Sequence, residues 1–132
     1  MATRVAVFPE GRQDLYTRNR YSAAVRAGDL LFVSGQVGSR EDGSPEPDLE
    51  RQVRRAFANL EAVLAAAGCS FEDVVDVTVF MVDAERDFER AWQVAAAYWG
   101  GPPYPALTGI GVEWLYGFRF EIKAVARMPQ AA

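Results

Sequence analysis

The sequence contains no histidine and only one cysteine, Cys69. Without histidine, a triad with an imidazole base, the HExxH zinc motif and the facial iron triad are all excluded. A single cysteine also excludes an internal disulfide and a zinc site of clustered cysteines. Any chemistry must therefore depend on carboxylates, arginines, hydroxyls, backbone groups or water, and we expect neither a cofactor nor a metal site.

Long apolar runs are missing as well. Apolar stretches such as residues 30–33 are far shorter than the roughly 20 residues that a membrane span needs. Residues 1–5 lead directly into a strand-like pattern and lack the apolar segment typical of a secretion signal. We therefore expect a soluble protein with no membrane partner and a cytoplasmic location.

The charge balance is acidic. The chain carries 18 acidic and 14 basic side chains, for a formal charge of −4. Nucleic acid binding needs a concentrated basic face that neutralises phosphates, and this balance argues against one. Arg51, Arg54 and Arg55 form a local basic group, but they fall on the outward side of a predicted helix, which favours a solvated face. We expect no nucleic acid partner.

The hydrophobic pattern predicts an α+β sandwich. Half of the 132 residues are apolar, enough for the core of one domain over residues 1–132. Alternation and turn residues predict strands over residues 3–8, 21–27, 30–34, 73–82, 106–112 and 118–127. Helical spacing predicts one helix capped by Asp48 and ended by Gly68, and a second from Asp83 to Trp99. The result is a mixed sheet of about six strands with two helices on one face.

Such a sheet leaves one face uncovered, because the chain has no third long helix to place there. A closed symmetric oligomer would bury the uncovered faces of several copies together. The pattern therefore indicates an oligomer.

Four segments carry a recognisable set of motifs. They are YSAAVRAGDLLFVSGQ at residues 21–36, NLEAVLAAAG at 59–68, DVVDVTVF at 73–80 and FEIKAVA at 120–126. In this order the chain resembles the RidA/YjgF family over nearly its whole length. Together with FPEGR at residues 8–12 and GSREDG at 38–43, it looks closest to the YjgH branch of that family. The resemblance implies a chorismate-mutase-like fold, a homotrimer that encloses a barrel of sheets, and a small-molecule ligand in each of three clefts between subunits.

The resemblance also implies roles for individual residues. Glu121 corresponds to the glutamate that orients the attacking water when deaminating members hydrolyse a 2-iminoacid or enamine. Tyr21 and the segment 34–36, which we predict as a turn, match the family as well. The family's Pro-Ala-Arg segment, whose arginine pairs with the substrate carboxylate, instead continues into Leu107 here. Trp92 stands where deaminating members carry a small polar residue.

The missing arginine has a physical consequence. A guanidinium holds a carboxylate through two charge-assisted hydrogen bonds, and leucine offers no donor. That loss is commonly worth about 1.5 to 3 kcal/mol, or roughly one to two orders of magnitude in binding. Strand alternation would put Arg119 on the face of Glu121 and Lys123, where it could replace the missing cation. A solvated face of alternating charge is the alternative reading.

The strand over residues 106–112 suggests a trough beside Leu107, because Gly109 and Gly111 share its face and contribute no side chain. Glycine in a strand marks a close ligand, a bulge or a tight subunit contact, and all three stay open. Tyr21, Trp92 and Trp114 fit either an apolar cleft or the core. The candidate site thus comprises Glu121 as catalytic residue and, for substrate binding, Tyr21, Ser34, Gly35, Trp92, Leu107, Thr108, Gly109 and Arg119.

Two functions remain open at this point. One is an enzyme that hydrolyses an imine or enamine with Glu121 as general base, whose pKa would be raised in an apolar cleft. The other is a metabolite-binding trimer without turnover, since family and fold do not determine activity. An endoribonuclease or translation inhibitor, as relatives are often labelled, agrees poorly with an acidic chain that lacks histidine. A chorismate mutase should show several converging cations, and no motif supplies them.

Overall fold

A computed structural model describes residues 3–129 of the chain. The single domain that we predict for residues 1–132 therefore remains a prediction, because positions 1, 2 and 130–132 lie outside the described residues. The strands are β1 (Val5–Val7), β2 (Ala24–Ala27), β3 (Leu30–Val37), β4 (Val74–Met81), β5 (Ala106–Gly111) and β6 (Phe120–Arg127). The helices are α1 (Gln13–Arg18), α2 (Leu49–Ala66) and α3 (Ala84–Ala96).

The six strands form one mixed sheet in the order β1-β2-β3-β6-β4-β5. β4 and β5 pair in parallel, and the other neighbouring strands pair antiparallel. β6, the last strand in the chain, thus lies in the middle between β3 and β4. This arrangement confirms the predicted fold class.

The core lies between the sheet and helices α2 and α3. Alternate side chains of β6, from Phe120 to Ala126, are buried on this side, as is the apolar face of α2 around Phe57. Burying a large apolar side chain contributes about 1.5 to 3 kcal/mol, so this layer is the main source of stability. The predicted limits of α2 are confirmed: Asp48 accepts a hydrogen bond from the backbone N–H of Arg51 at 3.1 Å, and Gly68 follows with a φ of 81°.

The sequence missed helix α1 and misplaced several ends. α1 is only six residues long and buries little besides Tyr16, too short for a helical period to stand out. α3 ends at Ala96 and not at Trp99, and β2 begins at Ala24, so Tyr21 lies in the preceding loop.

The predicted turn at residues 34–36 is wrong, since these residues belong to β3. Val33 pairs with Ala124 and Gln36 with Ile122, so β3 holds one residue more than β6 across this interval. The irregularity is a β-bulge at Ser34 and Gly35, a feature common beside functional sites.

The other face of the sheet stays open in the single chain. Among the described residues, no helix covers this face, and apolar side chains such as Phe32 and Ile110 are about 40% exposed (41% and 40%). All six residues of the edge strand β5 are exposed. None of the described helices is long and apolar enough to cross a membrane.

Candidate functional site

The carboxylate of Glu121 lies against the β-bulge of β3. Glu121 pairs with Val37 of β3 and with Phe80 of β4, and its neighbours Phe120 and Ile122 are buried toward the helices. Its own side chain therefore points to the open face. A Cβ atom added at Gly35 would come within 2.6 Å of the carboxyl carbon of Glu121. The absence of a side chain at Gly35 thus creates the space in which this carboxylate lies.

The Glu121 carboxylate is half-buried but unpaired. Within residues 3–129, it accepts no hydrogen bond and forms no ion pair. Burial raises its pKa, and the positive charge of Lys123 opposes this rise. Such a carboxylate can take a proton at a pH closer to neutrality than an exposed glutamate can.

Tyr21 is the predicted site residue that shares this region with Glu121. Burial raises the pKa of the Tyr21 hydroxyl, and the nearby groups Tyr16 and Glu121 raise it further. The rings of Tyr21 and Tyr16 meet edge to face, with centroids 5.0 Å apart. The Tyr16 hydroxyl in turn accepts a long hydrogen bond, 3.4 Å, from the buried amide of Gln36. Helix α1 thereby supports the tyrosine beside the carboxylate.

Ser34 has a structural partner. Its hydroxyl donates to the carbonyl of Ser22 at 2.6 Å, which ties the bulge to the segment just after Tyr21. The hydroxyl proton is therefore committed within the chain. Ser34 is better explained as a support for the bulge than as a group that donates to a ligand.

Arg119 does not lie free beside Glu121. β6 begins only at Phe120, so regular alternation does not extend to residue 119. The guanidinium instead donates to the buried carboxylate of Asp87 on α3 at 2.9 Å. Arg86 binds the same carboxylate at 2.8 Å, and both arginines hold the pKa of Asp87 well below its usual range. The Arg119 guanidinium is therefore not free to replace the missing cation at Glu121.

The trough predicted beside Leu107 is filled. Leu107 and Gly109 pair with Val77 and Val79, whose buried side chains point to the helices, so their face is opposite to that of Glu121. A Cβ atom on Gly109 would lie 2.7 Å from the ring of Phe88 on α3. Close approach by a helix thus explains this glycine.

The two tryptophan candidates, Trp92 and Trp114, do not lie together. Trp92 is partly buried and stacks on Phe88, with ring centroids 6.3 Å apart and planes at 13°. Trp114 is exposed and packs against Tyr116, with ring centroids 3.9 Å apart. Thr108 pairs with Thr78, which pairs with Lys123, so Thr108 lies on the open face two strands away from Glu121.

An open cleft of about 920 Å³ runs beside this region, and its lining includes Tyr16, Tyr21, Gly35 and Asn59. Glu121 is not part of that lining. We therefore take the carboxylate of Glu121, and not the cleft, as the centre of the candidate site. Within residues 3–129, no group of three or more cysteine, aspartate and glutamate side chains is arranged to hold a metal ion.

The structure therefore brings together Tyr21, Ser34, Gly35 and Glu121. Leu107 and Gly109 lie on the other side of the sheet, the side covered by α3, to which Trp92 belongs. Sequence reasoning missed Tyr16, Gln36, Gln52 and Asp87. Gln52 and Asp87 carried a usable signal, because each interrupts the apolar face of an amphipathic helix with a polar group that must find a partner when buried.

Comparison with known proteins connects this geometry to a family. Residues 11–128 match the model of the family described as Endoribonuclease L-PSP. The chain is 61% identical over 130 residues to the RutC family protein YjgH of Escherichia coli strain K12, covering 98% of this chain and 99% of that protein. It is 36% identical over 109 residues to a Mus musculus protein named 2-iminobutanoate/2-iminopropanoate deaminase, covering 80% of this chain and 79% of that protein.

Solved structures show the same similarity. A structure of protein YjgH matches with a TM-score of 0.91 and 60% identity, covering 98% of this chain and 100% of that one. The structure of E. coli TdcF with bound serine matches with a TM-score of 0.76 and 29% identity, covering 83% of this chain and 88% of that one. Sequence and fold agree, and the chain belongs to the RidA/YjgF family, also described as the RutC or Endoribonuclease L-PSP family.

Proposed function

We propose that this chain binds a small imine or enamine beside Glu121 and hydrolyses it with Glu121 as general base. The observation that carries the proposal is the half-buried carboxylate, which has a raised pKa and no partner within residues 3–129. A carboxylate with only a structural role would ordinarily be paired when it is withdrawn from water. This one has free lone pairs that can bind and orient a water molecule.

The reaction follows from that arrangement. Glu121 accepts a proton from water while the water oxygen forms a bond to the carbon of the C=N group, and the nitrogen takes up a proton from solvent, which gives a carbinolamine. The proton held by Glu121 then goes to the departing amine as the C–N bond breaks, and the hydroxyl proton of the carbinolamine is released to solvent as the carbonyl forms. One water is consumed, and the products are a carbonyl compound and ammonia or an amine. A base with a pKa shifted toward neutrality suits both transfers.

The site is incomplete in one chain, and we propose that a homotrimer completes it. Supporting this are the open apolar face around Phe32 and Ile110 and the exposed edge strand β5. Large exposed apolar surfaces of this kind usually mark interaction sites. In the proposed trimer, Leu107 of a neighbouring copy approaches the carboxylate of Glu121, so residues that lie on opposite sides of one sheet meet between copies.

The leucine at position 107 indicates which class of imine this chain would bind. The mouse relative is named for 2-iminobutanoate and 2-iminopropanoate, and TdcF was solved with serine, all small molecules with a carboxylate. Leucine has no donor for a carboxylate, so 2-iminoacids should be poor substrates here. An imine or enamine with an apolar group at that position agrees better with Leu107.

Leu107 also favours a second candidate function, a trimer that binds a metabolite without turnover. This role needs the cleft but no base. RNA cleavage has less support, because the chain is acidic and has no histidine. A cytoplasmic location remains a prediction.

The test is a stopped-flow assay of imine decay at matched protein concentrations. Its substrates are 2-iminopropanoate and a neutral imine that carries an alkyl group in place of the carboxylate. We expect the wild type to accelerate decay of the neutral imine, and Glu121→Gln to reduce that acceleration by about two orders of magnitude or more. Decay at the spontaneous rate for both substrates, together with calorimetric binding of the neutral imine's product, would establish the binding role instead.

A further inference from the structure

The start of β6 lies beyond the end of its pairing with β3, and a side chain of α2 binds the backbone there in place of a strand. The β3–β6 ladder stops at the pair of Val37 and Glu121, so β3 offers no further partner to the two residues before Glu121 among those described. The side-chain oxygen of Gln52 accepts hydrogen bonds from both of their backbone N–H groups, from Arg119 at 2.7 Å and Phe120 at 3.1 Å. Gln52 belongs to α2 and is 1% exposed.

The side-chain amide of Gln52 is held through its nitrogen as well as through its oxygen. Its amide nitrogen donates to the carbonyl of Glu46 at 2.8 Å, in the loop that follows β3. Where β3 leaves the sheet, Gly38 packs directly against this residue: a Cβ atom there would lie 2.6 Å from Cγ of Gln52. The glycine therefore lets α2 come close enough for the side chain to reach β6.

Two further contacts hold Arg119, the residue just before β6. The backbone carbonyl of Arg119 accepts from the N–H of Val82, just beyond β4, at 3.1 Å. The Arg119 side chain is bound by Asp87 of α3. Helices α2 and α3 and the end of β4 thus converge on Arg119, two residues before Glu121.

We propose that Gln52 is a positioning residue for Glu121, holding the start of β6 in the place that puts the carboxylate over Gly35. Without the Gln52 oxygen, the backbone N–H groups of Arg119 and of the fully buried Phe120 lose this acceptor. Buried unpaired N–H groups are strongly disfavoured, so the strand would shift or open to reach water. Glu121, one residue further on, would move with it. The inference rests on Glu121 as the working group of the proposed function.

The test measures the pKa of Glu121, which depends on how deeply the carboxyl is buried. The method is 13C NMR titration of selectively labelled glutamate carboxyls in the full chain, with Glu121→Gln to assign the signal. In Gln52→Met we expect the Glu121 pKa to fall toward that of an exposed glutamate, and imine hydrolysis to drop by roughly tenfold to a hundredfold with most of the loss in kcat.

The matched control is Val63→Ala, which removes buried packing from the same helix without touching residues 119 and 120. It should lower the thermal midpoint and leave the Glu121 pKa unchanged. Should Gln52→Met not fold, Gln52→Asn gives the same test, because its shorter side chain cannot reach β6. An unchanged Glu121 pKa in folded Gln52→Met or Gln52→Asn would overturn the inference. A wild type inactive on every imine would remove the proposed hydrolysis, yet the titration would still decide whether Gln52 positions Glu121.

Discussion

Glu121 and Gly35 occupy one site between two strands, because the carboxylate of Glu121 fills the space that a side chain at position 35 would take. The β-bulge in β3 places the glycine there, and the central position of β6 brings the glutamate to it. The contact explains how a carboxylate remains half-buried although it forms no ion pair within residues 3–129. Several outcomes can be predicted from this contact and from the surrounding ion pairs.

Gly35→Ala should displace the carboxylate and leave the fold intact. Gly35 has no left-handed backbone conformation, so alanine fits there, and stability should be unchanged or higher by up to about 1 kcal/mol. The flexible Glu121 side chain should swing into solvent, and its pKa should fall. NMR titration and thermal unfolding measure the two effects. Gly101→Ala, which meets no neighbouring atom within 4 Å, is the control. A Glu121 pKa equal to that of the wild type would contradict the contact.

Glu121→Gln should stabilise the protein in a pH-dependent way. Burial raises the folded-state pKa of Glu121 above its unfolded value, so protonation favours the folded state and the charged form carries a penalty. The penalty is absent below about pH 4 and develops as pH rises through the unfolded and then the folded pKa. We expect the variant to exceed the wild type in free energy of unfolding at pH 7 and to match it near pH 4. Urea unfolding between pH 4 and pH 7 measures the difference in free energy of unfolding between the two proteins. A difference that does not change with pH would contradict the prediction.

Asp87→Asn should lower the free energy of unfolding at pH 7, and this loss should become smaller as the pH falls. Arg86 and Arg119 lower the folded pKa of Asp87, so its contribution is present above the unfolded pKa of about 3.9 and is lost as pH falls below it. The arginines over this carboxylate are partly exposed, and the variant should therefore lose only about 1 to 2 kcal/mol at pH 7. Urea unfolding at pH 7 and pH 2.5 measures both values. Exposed Asp76→Asn is the control, and an equal loss for the two variants would refute the prediction.

Leu107→Arg should confer activity on 2-iminopropanoate. An arginine at this position supplies the two charge-assisted hydrogen bonds that leucine lacks, and we expect stopped-flow decay at least about tenfold faster than with the wild type. Leu107 is 41% exposed, so the change should not disturb the core. Leu107→Met serves as the control for altered side-chain shape. Equal rates for all three proteins would show that position 107 does not face the ligand.

Phe32→Asp should break the proposed trimer. It places a charge in the middle of the open apolar face, where burial against other copies would require desolvation. Light scattering should give three times the chain mass for the wild type and one chain mass for the variant. Arg54→Asp, on the exposed side of α2, should leave the mass unchanged. A wild type of one chain mass would remove the proposed cleft between copies.

The sequence predicted most of the fold and part of the site. Asp48 as helix cap, Gly68 as helix end and the valine-rich strand β4 are confirmed, because each follows from local spacing and turn chemistry. Glu121 and Tyr21 came from the family resemblance, and in the structure Glu121 is near enough to raise the pKa of the Tyr21 hydroxyl. The bulge at Gly35 was missed because the same glycine is also typical of a turn.

Local pattern therefore determined which residues form strands and helices, which side chains are apolar, and that no imidazole or cysteine cluster takes part. Only the tertiary structure decided that Gly35 makes room for Glu121, that Phe88 fills the space over Gly109, and that Asp87 holds Arg119. These contacts join residues between 21 and 86 positions apart in the chain. Their geometry depends on strand order and helix packing, which the spacing of neighbouring residues does not encode.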